Sequence, residues 1–120
     1  MSYWGYHLIL NAKNCLAPAI RSADMIRGFT KTLVKDIDMV AYGQPQVVMF
    51  GTGNKKGYTL VQLIETSNIC AHFVEESNDM YLDVFSCKTF EKSTVERIVQ
   101  DYFKPEKMET QLILRDARMM

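Results

Sequence analysis

The sequence predicts an α+β fold: a two-layer α/β sandwich, with a mainly antiparallel sheet and two helices on one face. Three observations carry this. Ser22–Lys35 and Lys92–Phe103 place apolar residues at helical spacing. The β-rich runs between them are joined by links of hairpin length, which favours antiparallel pairing over crossovers. The chain has 120 residues, 48% hydrophobic and 23% charged, enough for one domain over 1–120 around a single modest core. At this size a second copy would help to bury surface.

The elements follow in chain order. Trp4–Leu10 has few breakers and reads as a strand, and Asn11–Pro18 as a connection. In Ser22–Lys35, Met25, Ile26, Phe29 and Leu33 share a face, and Ser22 is a natural N-cap because its hydroxyl can accept a free first-turn N–H. Gln46–Phe50 is a short β-rich run. Gly51–Gly57, GTGNKKG, is a glycine-rich basic loop. Tyr58–Glu65 is the next strand, and Ser67–Val74 and Asp79–Ser86 form a pair around Glu75-Glu76-Ser77-Asn78. In Lys92–Phe103 the apolar stripe is Val95, Ile98, Val99 and Tyr102. Ser93 with Glu96 spells a capping box, and Pro105 stops the helix. Thr110–Leu114 is the last strand, giving the order β-α-β-β-β-β-α-β.

Charge and cysteine content exclude several function classes. Lys+Arg and Asp+Glu both number 14, so there is no basic excess to favour nucleic acid or an anionic membrane as partner. Three cysteines, Cys15, Cys70 and Cys87, cannot all pair within one chain and none has CxxC spacing, which fits a reducing, cytoplasmic compartment. The opening MSYWGYHLIL lacks a basic n-region and a cleavage site, and no apolar run approaches a membrane span. Two histidines and dispersed cysteines give no metal-ligand set, so no metal is expected. GTGNKKG lacks the Gly-Lys-Ser/Thr ending of a phosphate loop and leads into a strand. It reads as a flexible hairpin loop, with a substrate gate as the alternative.

Chemistry is best placed between Thr66 and Cys87, TSNICAHFVEESNDMYLDVFSC. A turn centred between Glu76 and Ser77 pairs Val74 with Asp79, His72 with Tyr81 and Ser67 with Ser86. Cys87 then falls opposite Thr66, beside Ser67, so a hydroxyl and a thiol meet at one end of the hairpin. His72 lies five residues along the strand, roughly 17 Å away at ~3.4 Å per residue. A Ser/His/Cys triad within one protomer is therefore not expected, whereas a two-fold interface could bring a second copy's histidine to the serine.

These residues resemble the short prokaryotic class of S-adenosylmethionine decarboxylase, a pyruvoyl enzyme made as a self-cleaving proenzyme. Gly5–Leu10, GYHLIL, is similar to that family's opening Gly-x-His-hydrophobic strand, and Asn14-Cys15 to the end of its first block. The central block reads Glu65-Thr66-Ser67-Asn68-Ile69-Cys70-Ala71-His72, then Glu76, then Asp83-Val84-Phe85-Ser86-Cys87, with the family's Ser-to-His, His-to-acid and His-to-Cys spacings kept. The resemblance implies cleavage between Thr66 and Ser67 into chains 1–66 and 67–120, with Ser67 becoming the pyruvoyl cofactor. It implies proton transfer by His72 during processing, assisted by the hydroxyl of Thr59. It implies that the pyruvoyl carbonyl takes up the substrate amine and acts as electron sink, and that Cys87 is the general acid in decarboxylation. Glu76 matches the acid that binds the ribose hydroxyls. A homodimer with sites shared across its interface follows from the same resemblance, as does supply of the aminopropyl donor for spermidine synthesis.

Some positions depart from the family's pattern. The scissile bond is Thr-Ser rather than Glu-Ser, Asn68 replaces a histidine, and Cys70 replaces a threonine. Gly53 stands where the adenine-stacking phenylalanine is expected, and Phe50 is the nearest substitute. These differences leave two further readings: a pyruvoyl decarboxylase of another amino acid, such as ornithine or arginine, or an uncleaved, non-catalytic binding homologue.

Overall fold

The computed structural model describes residues 3–120. Six strands form one sheet in the order β2-β3-β4-β5-β1-β6, and every neighbouring pair is antiparallel. The strands are β1 (Gly5–Lys13), β2 (Ala41–Phe50), β3 (Gly57–Ile64), β4 (Ser67–Val74), β5 (Asp79–Ser86) and β6 (Lys107–Arg115). The helices are α1 (Ala17–Ile20), α2 (Ala23–Asp36) and α3 (Lys92–Phe103). The expected α+β sandwich is present.

Alternation fixes which face of the sheet is buried. Leu8, Leu10, Leu60, Ile69, Ala71, Phe73, Met80, Leu82 and Val84 point to the helices and are almost fully buried. They meet Ile26, Phe29 and Leu33 of α2 and Val95, Ile98, Val99 and Phe103 of α3 in one core. Aromatic rings tie the layers together: Phe103 lies 4.9 Å from Phe29, edge-on, and 5.5 Å from Phe73. The opposite face carries none of these three α-helices. His7, Ile9, Thr59, Val61, Leu63, Asn68, Cys70, His72, Tyr81, Asp83 and Phe85 all retain exposure there.

Local signals set most boundaries. Ser22 caps α2 by accepting the Met25 N–H. The β4–β5 register is the one expected from the turn: Ser67 with Ser86, His72 with Tyr81, Val74 with Asp79. Four expectations are corrected. Strand β1 runs on to Lys13 because Asn11, Ala12 and Lys13 pair with Glu109, Met108 and Lys107. Strand β2 starts at Ala41, and a bulge between Tyr42 and Gln46 absorbs Gly43 and Pro45. Strand β6 covers Lys107–Arg115, all of it paired with β1. The Ser93–Glu96 capping box does not form: α3 begins at Lys92, and the Glu96 carboxylate instead accepts the Thr110 hydroxyl at 2.7 Å. The one-turn helix α1, with Pro18 in its first turn, occupies the end of the expected connection.

Candidate active site

Two groups of candidate residues lie at opposite ends of β4. At its start, the β3–β4 turn is Glu65-Thr66, followed directly by Ser67. The Thr66 carbonyl accepts the Cys87 backbone N–H at 3.0 Å, and the Glu65 N–H donates to the Val40 carbonyl at 2.9 Å. Ser67 opens the strand with φ 155°, an angle that non-glycine residues seldom hold. Ser67 pairs with Ser86 and with Ile64, so alternation sets it on the helix-bearing side. Cys87, one residue beyond β5, is exposed. The sequence-based expectation that Ser67 and Cys87 share one end of the hairpin is met.

Side chains around Thr66 form a short relay. The Lys88 N–H donates to Ser86 Oγ at 3.0 Å, Ser86 Oγ donates to Thr66 Oγ1 at 2.7 Å, and Thr66 Oγ1 donates to Met39 Sδ at 3.3 Å. Lys88 is itself held by Asp38, its Nζ 2.9 Å from the carboxylate. Neither Ser86 nor Met39 was among the candidates read from the sequence. The available signal was Ser86 itself, a polar residue ending the inward series Met80, Leu82, Val84.

At the other end, Thr59 on β3 stands directly opposite His72 on β4, and Thr59 Oγ1 lies 3.2 Å from His72 Nδ1. Both are on the open face. Phe50, the last residue of β2, sits opposite Gly57, two positions from the Val48–Thr59 pair and on the same face. Phe50 thus neighbours the Thr59–His72 pair, and it is 58% exposed. Glu76 lies in the β4–β5 turn and is exposed. The GTGNKKG loop packs against that turn: the Glu75 N–H donates to the Lys56 carbonyl at 3.1 Å, and Lys56 Nζ lies 3.9 Å from the Glu75 carboxylate.

Within one protomer, then, Thr59, His72, Phe50 and Glu76 lie toward one end of β4, and Thr66, Ser67 and Cys87 at the other. Five residues of strand, roughly 17 Å, separate Ser67 from His72. Between them runs a weakly polar row of the open face, Val61, Cys70, Asp83 and Ile9. The Cys70 thiol is pushed up by burial and by the Asp83 carboxylate. Asp83 also meets His7 Nε2 at 3.0 Å. Among the described residues no group of three or more His, Cys, Asp or Glu side chains converges on a metal-sized point, and no helix is long and apolar enough to cross a membrane.

Residues 6–116 match the family model described as S-adenosylmethionine decarboxylase. The fold is similar to that of the adenosylmethionine decarboxylase from Aquifex aeolicus VF5, with a TM-score of 0.79 and 21% identity over 97% of this chain and 93% of that one. At that identity the likeness is one of fold. No curated protein matches the sequence.

Proposed function

The chain belongs to the S-adenosylmethionine decarboxylase family and decarboxylates S-adenosylmethionine; we propose that it does so with a pyruvoyl group made from its own Ser67. The observation that carries this reading is the hydrogen bond from the Cys87 N–H to the Thr66 carbonyl, 3.0 Å long. In an N-to-O acyl shift, Ser67 Oγ attacks that carbonyl carbon and negative charge gathers on its oxygen. A fixed backbone donor there stabilises the tetrahedral state without reorganisation.

The steps balance without an oxidant. The Ser67 Oγ–C bond forms, the Thr66–Ser67 C–N bond breaks, and the hydroxyl proton passes to the freed amine, giving an ester. A base removes the Ser67 α-proton, the ester C–O bond breaks, and Thr66 leaves as a carboxylate. Water then replaces ammonia at residue 67, leaving a ketone at the start of chain 67–120. Thr59 and His72 form a hydroxyl–imidazole pair suited to these proton transfers. The pyruvoyl carbonyl supplies the electron sink for decarboxylation.

The remaining roles are those that the family resemblance implies, and side-chain chemistry and position are compatible with them. The Cys87 thiol, exposed beside the cleavage point, returns a proton to the substrate α-carbon. The Glu76 carboxylate accepts from ribose hydroxyls, and Phe50 offers an aromatic face to the adenine.

A homodimer completes the site. Two copies packed open face to open face, about a two-fold axis near the Val61–Cys70–Asp83–Ile9 row, would set the His72 end of one β4 over the Ser67 end of the other. Ser67 is bound to strand alternation only while the chain is intact. Cleavage makes it a chain end that can turn toward the interface. Three free cysteines are consistent with a reducing cytoplasm, and the decarboxylated product would serve as aminopropyl donor in polyamine synthesis.

Intact-mass spectrometry of freshly purified protein tests the reading. Wild type should give chains 1–66 and 67–120, the latter pyruvoyl-capped, and Ser67→Ala a single chain. A folded wild type that stays whole and inactive would make this the uncleaved binding homologue instead.

A further inference from the structure

We infer that Ser86 is a positioning residue for self-cleavage: its buried hydroxyl clamps the Thr66 side chain so that the Thr66 carbonyl is presented to Ser67 Oγ. The inference rests on the self-processing reading above and assigns a residue that the reading does not use.

Ser86 has no exposure at all, whereas the other inward residues of β5, Met80, Leu82 and Val84, are apolar. A hydroxyl there is desolvated, which costs stability unless it is well bonded. It is bonded at both ends, accepting from the Lys88 N–H at 3.0 Å and donating to Thr66 Oγ1 at 2.7 Å. Its other acceptor, Met39 Sδ, is at 3.6 Å and weak. Thr66 Oγ1 in turn donates to Met39 Sδ at 3.3 Å, a weak acceptor. Ser86 therefore fixes the Thr66 side chain, and Met39 completes the packing around it.

This matters because the acyl shift is demanding in geometry. Ser67 Oγ must approach the face of the Thr66–Ser67 peptide within a few tenths of an ångström of a reactive pose, and small misplacements are costly. The Cys87 N–H fixes the carbonyl oxygen, but one hydrogen bond still allows the peptide plane to swing about it. The Ser86–Thr66 bond adds a second, independent anchor on the same residue. Cys87 and Ser86 are consecutive, so β5 grips the acyl side of the scissile bond through main chain and side chain together.

Ser86→Ala should slow cleavage about tenfold, the rate equivalent of one lost hydrogen bond in the transition state, as followed by intact mass after rapid purification. Ser86→Thr, which keeps the hydroxyl, should restore it. Thr66→Val breaks the same bond from a partly exposed position, and the double variant should be no slower than the slower single one. Once matured, Ser86→Ala should show the wild-type kcat for decarboxylation, which a general folding defect would not allow. Wild-type cleavage rates in both Ser86→Ala and Thr66→Val would overturn the inference and leave self-processing standing. If Ser86→Ala does not fold, Thr66→Val alone decides. A folded wild type that never cleaves would overturn self-processing, and this inference with it.

Discussion

Cys87 serves the proposed chemistry twice, by separable atoms. Its main-chain N–H holds the carbonyl to be attacked, and its thiol is placed to protonate the product. Cys15 is a different kind of cysteine. It is 4% exposed, and burial, reinforced by the Asp79 carboxylate, pushes its thiol up to about 12 from 9.0. Between those values the unfolded chain has lost a proton that the folded chain keeps. Stability from this site is complete below about 9 and falls as pH rises toward 12. Denaturant midpoints should therefore drop across that interval, and Cys15→Ala should flatten the drop. An unchanged slope in the variant would show that other groups govern the alkaline limb. At this scale the sequence was informative where spacing mattered. Turn position alone put Ser67 opposite Ser86 and Cys87 opposite Thr66. It was silent on Ser86 and Met39, because their roles arise from contacts between segments far apart in the chain.

Elements were legible where the local code was strong. Strands β4 and β5 and helix α3 have the boundaries that alternation, the Glu75–Asn78 turn and Pro105 imply. The far ends of β1 and the first half of β2 were not legible: Ala12 and Lys13 have little β character and are extended because β6 pairs with them, and Gly43 and Pro45 break the β pattern yet sit in a bulge that the strand carries through. The start of β3 shows such a constraint in full. A Cβ on Gly57 would lie 1.6 Å from the Phe73 carbonyl oxygen, a main-chain atom that cannot step aside. Gly57→Ala should destabilise the fold by about 1–3 kcal/mol or more, read as a lower denaturation midpoint. A neutral result would mean that β3 and β4 can separate locally at that end. Because Gly57 adjoins Phe50 on the open face, the substitution should also weaken substrate binding.

For the whole molecule, the separation of the two residue groups along β4 is what the proposed homodimer would bridge. Cys87→Ala and His72→Ala should each be inactive alone. Co-expressed, they should regain about a quarter of wild-type activity, because half the dimers are mixed and each has one intact site of two. No recovery would place the whole site within one protomer. The separation of Ser67 from His72 could be read from strand length, but the sheet order could not, because it depends on which distant strands pair. That order has a consequence for the proposed cleavage. Residues 1–66 supply β1, β2 and β3, and 67–120 supply β4, β5 and β6, yet β1 lies between β5 and β6. The two products are interlaced like fingers, joined along three seams. Cutting the chain releases neither part, and neither part alone has its neighbours to fold against. The proposed cut would have to follow folding, and it would work as a ratchet: a cleaved molecule, once unfolded, would have to find its other half by diffusion, so its recovery would depend on concentration in a way the uncut chain's does not.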